Sequence, residues 1–330
     1  STSLGRRMEP EIFAPKPKEG EPWDVAIIGS GPAGLTAAIY TTRGAASTII
    51  FGGETWGGQL MLTTLVDNYP ALPGIMGPDL MKKMRDHAVK FGTEFLEKNV
   101  ENVDFSKNPF ELTSAGQKYL AKAIIIATGA ETTWLDAPGV KEFIGRGVSS
   151  CAPCDAAFFK DKKVAVVGGG DSAMEEAMVL TKYASEITLI HRREAFRASA
   201  AMQQKVLNNP KIKILWNTEV VRVRGVSKLE AATLRNNKTN KETEMALDGL
   251  FVAIGHKPST AIFSGKIEVD EKGYMKVFEH TKTSVPGVFV AGDVHDWHYK
   301  QAVTAAGFGC MAAMDTLKHL EEIKEQVDKV

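Results

Sequence analysis

Two of the three cysteines in the chain stand close together, in the segment SSCAPCD at residues 149–155. A zinc site needs four ligands, but the third cysteine, Cys310, stands alone in an apolar helical stretch, and no histidine pair has zinc-finger spacing. A purely structural disulfide between Cys151 and Cys154 would close too small a loop to constrain the unfolded chain much. We therefore interpret the pair as a redox centre whose disulfide opens and closes by exchange, and we predict no metal site.

Asp155 directly follows the second of these cysteines. Thiol–disulfide exchange needs a thiolate as nucleophile, so protons have to move on and off the sulfurs in every cycle. A carboxyl group beside the pair can carry these protons, and Asp155 is therefore predicted to act as general acid and base. The alternative is that Asp155 caps a helix that begins here.

Two glycine-rich turns each stand between an apolar strand and a helix. The first strand, Val25–Ile28, leads into GSGPAG at 29–34, and the second strand, Val164–Val167, leads into GGGDSA at 168–173. This is the fingerprint of a dinucleotide site: the first glycine permits the tight turn, the second lets the backbone approach a pyrophosphate, and the third position must be small. Enough chain separates the turns for each to belong to its own domain.

The two copies differ at the position that reads the adenosine ribose. An acidic residue about 20 residues after the fingerprint binds the ribose hydroxyls, whereas arginine there accommodates the 2′-phosphate of NADP. Glu54 has the acidic position after the first turn. The segment after the second turn instead contains His191, Arg192, Arg193 and Arg197. Guanidinium groups bind phosphate in a fork, so the second site is predicted to bind NADP; the alternative is a solvated basic face.

The composition is that of an ordinary globular protein of two domains. The chain has 330 residues, is 44% hydrophobic, and carries 40 basic and 40 acidic residues. This balance gives no attraction to nucleic acid or to an anionic membrane, and no apolar run approaches the ~18 residues of a membrane span. Three cysteines favour a reducing compartment, and we predict a cytoplasmic location. The Pro/Lys/Glu-rich residues 1–22 are expected to form a flexible arm; an organelle is the alternative location if this arm is the remnant of a targeting segment.

Three further apolar strands end in glycine, at 123–130, 249–256 and 287–296, and a long helix is expected from about Tyr299 to Glu325. Because the last strand and the helix come late, the C-terminus is expected to complete the first domain. We predict an α/β fold with two Rossmann-like, three-layer (ββα) domains, one inserted in the other. The boundaries are an FAD-binding domain at 23–131 and 260–330 and an NADPH-binding domain with the Cys pair at 132–259.

Ten motifs together carry a family resemblance. In chain order they are GSGPAG, GGQL (57–60), VDNYP (66–70), ATGA, CAPCD, GGGDSAMEEA, HRREAFRA, VAIGHKP, VAGDV and KQAVTAAGFGCMAA. In these motifs the chain resembles the low-molecular-weight thioredoxin reductases from about Trp23 to its final helix. The resemblance implies a homodimeric flavoprotein that passes electrons from NADPH through FAD to a Cys-x-x-Cys disulfide, and then to thioredoxin.

The resemblance also implies roles for individual residues. Cys154 would be the flavin-facing sulfur, and Cys151 the outer nucleophile that attacks thioredoxin. Gln301 and Ala302 would lie beside the flavin ring; a simpler interpretation of these two residues is helix capping and packing. The other expected contacts to FAD come from Ser30, Gly31, Pro32, Ala33, Gly52, Gly53, Gln59, Asn68, Val100 and Asp293. The expected contacts to NADPH come from Gly168, Gly170, Asp171, Ser172, His191, Arg192, Arg193 and Arg197.

One rigid arrangement cannot easily present the flavin to the nicotinamide, the disulfide and thioredoxin. The Cys pair precedes the second fingerprint and so belongs to the NADPH-binding domain, whereas the flavin belongs to the other domain. We therefore expect a rotation between domains, with hinges near Thr132–Thr133 and His256–Pro258, where the chain crosses twice.

Two residues depart from the family pattern. Pro153 stands where Thr or Val is usual, and it removes an N–H near the thiols. Ala156 stands where Gly is usual, which predicts a less permissive backbone or a narrower groove for the partner. Both bear on the choice of partner more than on the disulfide chemistry.

Several residues are expected to have only structural roles. Cys310 is predicted to be a packed core thiol, and His295 and His298 to be exposed loop residues; the alternative is that these two histidines approach the flavin or the dimer interface. Five methionines with helical spacing are predicted to fill the core: Met174, Met178, Met202, Met311 and Met314.

Four other functions remain open at the level of sequence. A related reductase could take electrons from ferredoxin or serve another thioredoxin-like partner, although the arginine cluster favours NADPH. A flavin-dependent oxidase of small dithiols would consume oxygen. A nucleotide-binding sensor or scaffold would require the two cysteines to be inert.

Overall fold

The computed structural model describes residues 14–327. Contacts divide the chain into two compact units. The first, which we call the split unit, consists of the chain up to Glu131 and from Lys257 onward, and the second, the inserted unit, is Thr132–His256. The arm predicted for residues 1–22 lies outside the described residues up to residue 13, and residues 14–22 contain only turns and irregular chain.

The described chain contains helices and strands, with two long runs of strands at residues 94–149 and 212–290. The helices are α1 (Pro32–Arg43), α2 (Gly77–Lys90), α3 (Ala152–Asp155), α4 (Asp171–Leu180), α5 (Ala200–Leu207) and α6 (Ala302–Val327), with short 3-10 helices at Gly58–Leu62, Ala156–Phe159 and Ala261–Phe263. The strands are β1 (Trp23–Ile28), β2 (Thr48–Phe51), β3 (Leu65–Val66), β4 (Ile75–Met76), β5 (Glu94–Leu96), β6 (Asn102–Asp104), β7 (Phe110–Ser114), β8 (Gln117–Ile126), β9 (Ala130–Thr132), β10 (Val148–Ser149), β11 (Lys163–Val167), β12 (Glu186–Ile190), β13 (Ile212–Leu215), β14 (Thr218–Gly225), β15 (Leu229–Asn236), β16 (Glu242–Ala246), β17 (Gly249–Val252), β18 (His256–Pro258) and β19 (Val288–Val290).

The split unit is built on a seven-stranded sheet with the order β5-β2-β1-β8-β7-β6, in which β19 also pairs with β8. The strands β5, β2, β1, β8 and β19 run parallel, whereas β7 and β6 extend the sheet antiparallel. Strand β8 is long enough for both, because its first half lies beside β7 and its last three residues lie beside β19. The C-terminal part of the chain therefore completes this sheet.

Both faces of the split unit's sheet are covered. Val25 and Ile27 of β1 pack on the side of α1 and α6, whereas Ala26 and Ile28 pack on the opposite side. Successive side chains of a strand point to opposite faces, so a strand covered on both sides is apolar throughout. This is why the buried part of β1, Val25–Ile28, is a continuous apolar run in the sequence rather than an alternating one.

The inserted unit contains a five-stranded, all-parallel sheet with the order β10-β17-β11-β12-β13. One face is covered by α3 and α4, and the other by the antiparallel sheet β14-β15-β16. Val164 and Val166 face the helices, whereas Ala165 and Val167 face the antiparallel sheet. The layers are thus antiparallel sheet, parallel sheet and helices, and the predicted fold class is confirmed.

The chain passes between the two units twice, and β9 and β18 pair where it crosses. Two backbone hydrogen bonds flank this pair: Thr133 N–H to the oxygen of Gly255 (3.0 Å) and Ser259 N–H to the oxygen of Gly129 (3.0 Å). The expected hinge segment 256–258 is β18 itself, and the expected segment 132–133 begins with the last residue of β9. The hinge itself stays a prediction.

The long C-terminal helix begins three residues later than expected. Lys300 has a left-handed backbone conformation with φ of 50°, which helices exclude. The Asp296 carboxylate holds this turn, because it accepts the N–H groups of His298, Tyr299 and Lys300 at 2.9–3.1 Å. The helix therefore starts at Ala302. No helix within residues 14–327 combines the length and the apolar character that crossing a membrane requires.

Some of the expected core residues lie at the surface instead. Met174 is buried and Met178 and Met202 pack against the core, but Met311 is 41% exposed and Met314 is 60% exposed. Cys310 is only half-buried, with its sulfur 3.9 Å from that of Met314. The core prediction is wrong for Met311 and Met314 because the described chain leaves their face of α6 exposed, and Cys310 is only partly covered, beside Met314 and Tyr40 of α1.

Candidate active site

The glycines of the first turn have the separate roles that a dinucleotide fingerprint requires. A Cβ on Gly29 would lie 2.2 Å from the oxygen of Ala127, and one on Gly34 would lie 1.9 Å from the oxygen of Gly29. Both positions therefore require glycine for internal packing. A Cβ on Gly31 would meet nothing within 4 Å, so this position faces open space. The open face at the start of α1, with Pro32 in the first turn of the helix, is where a pyrophosphate fits.

Two loops are fastened to this turn by Ser30. Its buried hydroxyl donates to the oxygen of Gly52 (2.7 Å) and accepts the N–H of Gly57 (2.9 Å). A Cβ on Gly58 would lie only 3.4 Å from the Cα of Gly31, so the loop that carries exposed Gln59 runs beside the fingerprint. The predicted residues of these loops are thus gathered around one open turn.

The C-terminal part of the chain reaches the same turn. A Cβ on Gly292 would lie 2.8 Å from the Cβ of Ala33, and one on Gly309 would lie 2.1 Å from the oxygen of Ala33. Asp293 follows Gly292, and burial, with repulsion from Asp296, raises the pKa of Asp293 to about 7. A buried carboxyl that is hard to ionise can hydrogen-bond a hydroxyl-rich ligand as acceptor or donor.

Two of the residues expected beside the flavin contact each other. Asn68 Nδ2 donates to Gln301 Oε1 at 3.2 Å, although the two residues are far apart in the chain. Gln301 immediately precedes α6, and its backbone oxygen accepts the N–H of Ala305 (2.9 Å). Helix capping and a cofactor contact are therefore compatible roles for Gln301, and Ala302 is the first residue of the helix.

Three further residues of the split unit occupy distinct environments. The side chain of Val100 is buried in the core, which leaves only its backbone for a ligand. Gly53 has φ of 85°, and the following Glu54 is exposed, with its N–H bonded to Asn99 Oδ1 at 3.3 Å.

His298 is exposed as predicted, but the prediction is wrong for His295. The ring of His295 is held inside the protein. It stacks edge-on against Phe308 with 4.5 Å between centroids, and its Nε2 atom is buried without a hydrogen-bond partner among the described residues. Burial lowers the pKa of His295, which favours the neutral ring. Its place after the β19 strand, between the sheet and α6, accounts for this burial.

The second glycine turn repeats the geometry of the first. A Cβ on Gly168 would lie 2.4 Å from the oxygen of Ala253 and 2.7 Å from the Cβ of Ala173, whereas one on Gly170 would meet nothing within 4 Å. The open position again precedes a helix, α4, whose first residues Asp171 and Ser172 are exposed. This turn also fits a pyrophosphate.

His191 has a packing role that the sequence did not reveal. A Cβ on Gly169 would lie 2.1 Å from the His191 ring, so the ring rests directly on the glycine turn. His191 Nε2 bonds the oxygen of Ala195 (2.9 Å), and the ring contacts Phe196 and Trp216. Burial lowers the pKa of His191. A neutral, packed imidazole supports the segment that carries the arginines.

Hydrogen bonds hold the arginine segment, which carries Arg192, Arg193 and Arg197, against the second glycine turn. The N–H of Arg197 donates to the oxygen of Gly169 at 2.7 Å. Asp171 Oδ1 accepts both the N–H and the hydroxyl of Ser199, each at 2.9 Å. Asp171 is therefore a support for this segment. Among the described residues, the exposed guanidinium groups of Arg192, Arg193 and Arg197 form no ion pair, which leaves them available to a phosphate.

The two cysteines form a disulfide at the start of α3, with their Cα atoms 5.3 Å apart. The oxygen of Cys151 accepts the N–H groups of Cys154 (3.2 Å) and Asp155 (3.1 Å), which closes the turn. Ala152 and Ala156 anchor this turn, because both methyl groups are buried in the core beside α4. Cys151 and Cys154 themselves are half-buried. Within residues 14–327, no cluster of His, Cys, Asp and Glu could hold a metal ion.

Asp155 is half-buried behind the disulfide. Its Oδ2 atom accepts a hydrogen bond of 2.5 Å from the hydroxyl of Ser149, and its side chain caps no helix. Burial raises the pKa of Asp155, and the Ser149 hydrogen bond offsets part of this rise. A carboxyl shifted toward neutral pH is suited to donate and to accept a proton in the same cycle.

The two departures from the family pattern are easily accommodated. Pro153 is exposed in the first turn of α3, where a backbone N–H has no partner within the helix. Ala156 has ordinary helical angles, φ −54° and ψ −34°, and is buried. The expectation of a narrower partner groove is wrong for Ala156, because its methyl group points into the core.

Known proteins share this arrangement. A family model described as pyridine nucleotide-disulphide oxidoreductase matches residues 23–309. The chain belongs to this family. Among curated relatives, the thioredoxin reductase of Streptomyces clavuligerus is 48% identical over 306 residues, which are 92% of this chain and 95% of the relative.

Solved structures give the same family. The thioredoxin reductase from Giardia duodenalis superposes with a TM-score of 0.87 at 42% identity, over 91% of this chain and 99% of that one. The thioredoxin reductase from Streptococcus pyogenes gives a TM-score of 0.88 at 38% identity, over 91% and 98% of the two chains. The resemblance to the thioredoxin reductases, stated first from motifs, is confirmed.

Four residues support the predicted site although the sequence analysis gave none of them a role. Ser149 contacts Asp155, Asp296 shapes the turn before Gln301, and Ser199 fastens the arginine segment. The Glu176 carboxylate of α4 accepts the N–H of Ala152 at the start of the Cys helix. Each acts across a sequence separation or through backbone atoms, so its residue type alone gives no signal.

Proposed function

We propose that the protein is an NADPH-dependent thioredoxin reductase. The observation that carries this proposal is the Cys151–Cys154 disulfide, which lies at a helix start beside a half-buried carboxyl group with a raised pKa. The two open glycine turns and the similarity to thioredoxin reductases support it.

FAD is the dinucleotide proposed for the first turn. Ser30 to Ala33 would hold its pyrophosphate, Asp293 its hydroxyl-bearing linker, and Asn68 and Gln301 its ring system. When bound, FAD supplies the two-electron carrier between the nicotinamide and the disulfide. The residues named lie in one unit, and three contacts link parts of the site: Ser30 with Gly52, Ala33 with Gly292, and Asn68 with Gln301.

NADPH is the dinucleotide proposed for the second turn. Gly168, Gly170 and the start of α4 would hold its pyrophosphate, and Arg192, Arg193 and Arg197 its 2′-phosphate. Exposed guanidinium groups bind this phosphate in forks, whereas NADH offers them only a hydroxyl. These arginines therefore favour NADPH over NADH.

The cysteine pair carries out the exchange with thioredoxin. In the dithiol state the proton of Cys151 lies on Asp155, so Cys151 is a thiolate. This thiolate forms a bond with one sulfur of the thioredoxin disulfide, that disulfide breaks, and the leaving sulfur takes the proton from Asp155. Cys154 then passes its thiol proton to Asp155 and bonds to the sulfur of Cys151. The mixed disulfide breaks, and the second thioredoxin sulfur takes the proton from Asp155. Two electrons and two protons thus reach thioredoxin, and the enzyme disulfide is restored.

A rotation of the inserted unit about the paired strands β9 and β18 is part of the proposal. The proposed flavin residues belong to the split unit and the disulfide to the inserted unit, and the disulfide also has to meet an outside protein. Replacing a residue on each side of the crossing by cysteine and cross-linking the two should stop thioredoxin turnover. Reducing the cross-link should restore it.

A homodimer in the cytoplasm is the state we propose for the enzyme. The chain exposes an apolar stripe on α6 and α1 made of Tyr40, Val303, Met311 and Met314. A self-complementary contact between two copies would cover this stripe. Sedimentation of Met314→Glu against the natural sequence tests the dimer, because the charge should shift the population toward monomer. The low cysteine content supports a reducing compartment.

The test of the activity is an anaerobic donor comparison. The holoenzyme is mixed with oxidised thioredoxin and either NADPH or NADH, and oxidation of the nucleotide is followed. We expect rapid turnover with NADPH, slow turnover with NADH, no turnover in Cys151→Ser, and full turnover in Cys310→Ser. Turnover that survives in Cys151→Ser would refute the disulfide relay.

A further inference from the structure

Ser149 lies at the centre of the hydrogen bonds that surround the redox pair. It is 7% exposed, at the end of β10 and two residues before Cys151. Its hydroxyl donates to Asp155 Oδ2 (2.5 Å), and the same oxygen accepts the N–H of Cys151 (3.1 Å). One side chain therefore links the backbone of the proposed nucleophile to the proposed acid and base.

This geometry makes the two oxygens of the Asp155 carboxyl group inequivalent. Oδ2 is held by the Ser149 hydroxyl, whereas Oδ1 accepts no hydrogen bond from the residues between 14 and 327. A proton on Oδ2 would displace the hydroxyl proton of Ser149, whose oxygen already accepts the Cys151 N–H. A proton on Oδ1 leaves both hydrogen bonds intact.

We propose that Ser149 is a positioning residue for proton transfer: it fixes the Asp155 carboxyl group so that Oδ1 carries the exchanging proton. This inference rests on the proposed role of Asp155 in disulfide exchange. Oδ1 donates to the leaving sulfur of the substrate, accepts the thiol proton of Cys154, and donates again to the second leaving sulfur. Electrons move only between sulfurs, and Ser149 exchanges no proton.

Ser149 also sets the pH range over which Asp155 can work. Burial raises the pKa of the carboxyl group, and the hydroxyl of Ser149 opposes this rise by stabilising the carboxylate. Glu176 of the neighbouring helix α4 binds the N–H of Ala152 in this motif, and the two thiols of the reduced pair titrate in the same turn as Asp155. Loss of the hydroxyl should therefore move the titration of Asp155 to higher pH.

The test compares Ser149→Thr with Ser149→Val, because the two side chains have nearly the same shape and differ by one hydroxyl. Both are β-branched and suit a strand position. Ser149→Ala adds a variant without extra volume. Ser150→Ala is the matched control, because the Ser150 hydroxyl lies 3.3 Å from that of Thr132 rather than beside Asp155. Asp155→Asn assigns the carboxyl signal.

Two readouts are measured on the holoenzyme. The first is the pH titration of the Asp155 carboxyl group by infrared difference spectroscopy, which needs no substrate. The second is the pH profile of the single-turnover reaction between the dithiol enzyme and oxidised thioredoxin. We expect Ser149→Val and Ser149→Ala to shift both midpoints to higher pH and to slow the reaction about tenfold, a part of the ~10²–10⁴ that general acid–base catalysis supplies. Ser149→Thr and Ser150→Ala should behave like the natural protein.

Equal midpoints in the Thr and Val variants, or a shift to lower pH without the hydroxyl, would overturn the inference. If Ser149→Ala fails to fold, the Thr and Val pair still decides the question. If the natural enzyme does not reduce thioredoxin, the proposed function fails, but the carboxyl titration still confirms or refutes the role of Ser149. The two ideas can thus fail separately.

Discussion

The glycines of the first turn differ in what surrounds them, and this gives opposite expectations for two similar substitutions. Gly31 has φ of −68° and space on its Cβ side, so Gly31→Ala should leave the stability of the apoprotein within about 1 kcal/mol of the natural value. Gly29 has φ of 109°, and its Cβ would lie 2.2 Å from the oxygen of Ala127. Overpacking costs about 1–3 kcal/mol and the left-handed backbone about 1–2 kcal/mol, so Gly29→Ala should lose roughly 2–5 kcal/mol.

FAD affinity, unlike stability, should be the property that Gly31→Ala changes most. The new methyl group of Gly31→Ala occupies the space through which a pyrophosphate approaches the turn, so FAD affinity should fall at least about tenfold, or ~1.4 kcal/mol. Unfolding of the apoprotein by urea gives the stability, and quenching of flavin fluorescence gives the affinity. Gly31→Ala binding FAD as tightly as the natural chain would refute the assignment of this turn as the pyrophosphate site. A stable Gly29→Ala would refute the packing argument.

Three further predictions concern other parts of the site. Gly169→Ala should destabilise the inserted unit by about 1–3 kcal/mol because the His191 ring has to move. Adding His191→Ala should recover part of this loss in a double-mutant cycle measured by urea unfolding, and additive losses would contradict the contact. Ser199→Ala removes the hydroxyl bond to Asp171 and keeps the backbone N–H bond, which loosens the arginine segment. The Kd for NADPH should therefore rise about two- to tenfold while that for NADH stays the same, as measured by calorimetry; equal changes for both nucleotides would show that Ser199 does not act through the arginines. Because the pKa of Asp293 is raised to about 7, the folded apoprotein keeps a proton that the unfolded chain releases near pH 4. The stability of the folded apoprotein should therefore fall as pH rises from about 4 to 7, and Asp293→Asn should flatten this fall in thermal unfolding curves. An unchanged slope in Asp293→Asn would place the pH dependence in other groups.

Local features of the fold followed from the sequence because they depend on local rules. The parallel strands are continuous apolar runs, and the glycine turns follow them at once, so the strand, turn and helix order could be predicted for both units. The late start of α6 was not predicted although its cause is also local: helical spacing does not show that the Asp296 carboxylate binds the backbone N–H groups of the next residues and holds them in a turn.

The errors have a common physical origin. Helical spacing shows which residues share a face, but it does not show whether another element covers that face. Met311 and Met314 share a face that the described chain leaves exposed, whereas His295, in a loop, is enclosed by the sheet and α6. Ser149 and Ser199 were missed for a related reason, since a serine acquires its role only when folding brings an acidic residue to it.

In the proposed relay, the electrons of NADPH reach Cys151 and Cys154 before they reach any substrate. The most direct measurement is anaerobic: one equivalent of NADPH is added to the Cys310→Ser holoenzyme, the protein is alkylated, and the modified residues are identified by mass spectrometry. We expect Cys151 and Cys154 both to become labelled, and neither to be labelled when NADPH is omitted. Oxidation of NADPH with both cysteines still unlabelled would contradict the relay.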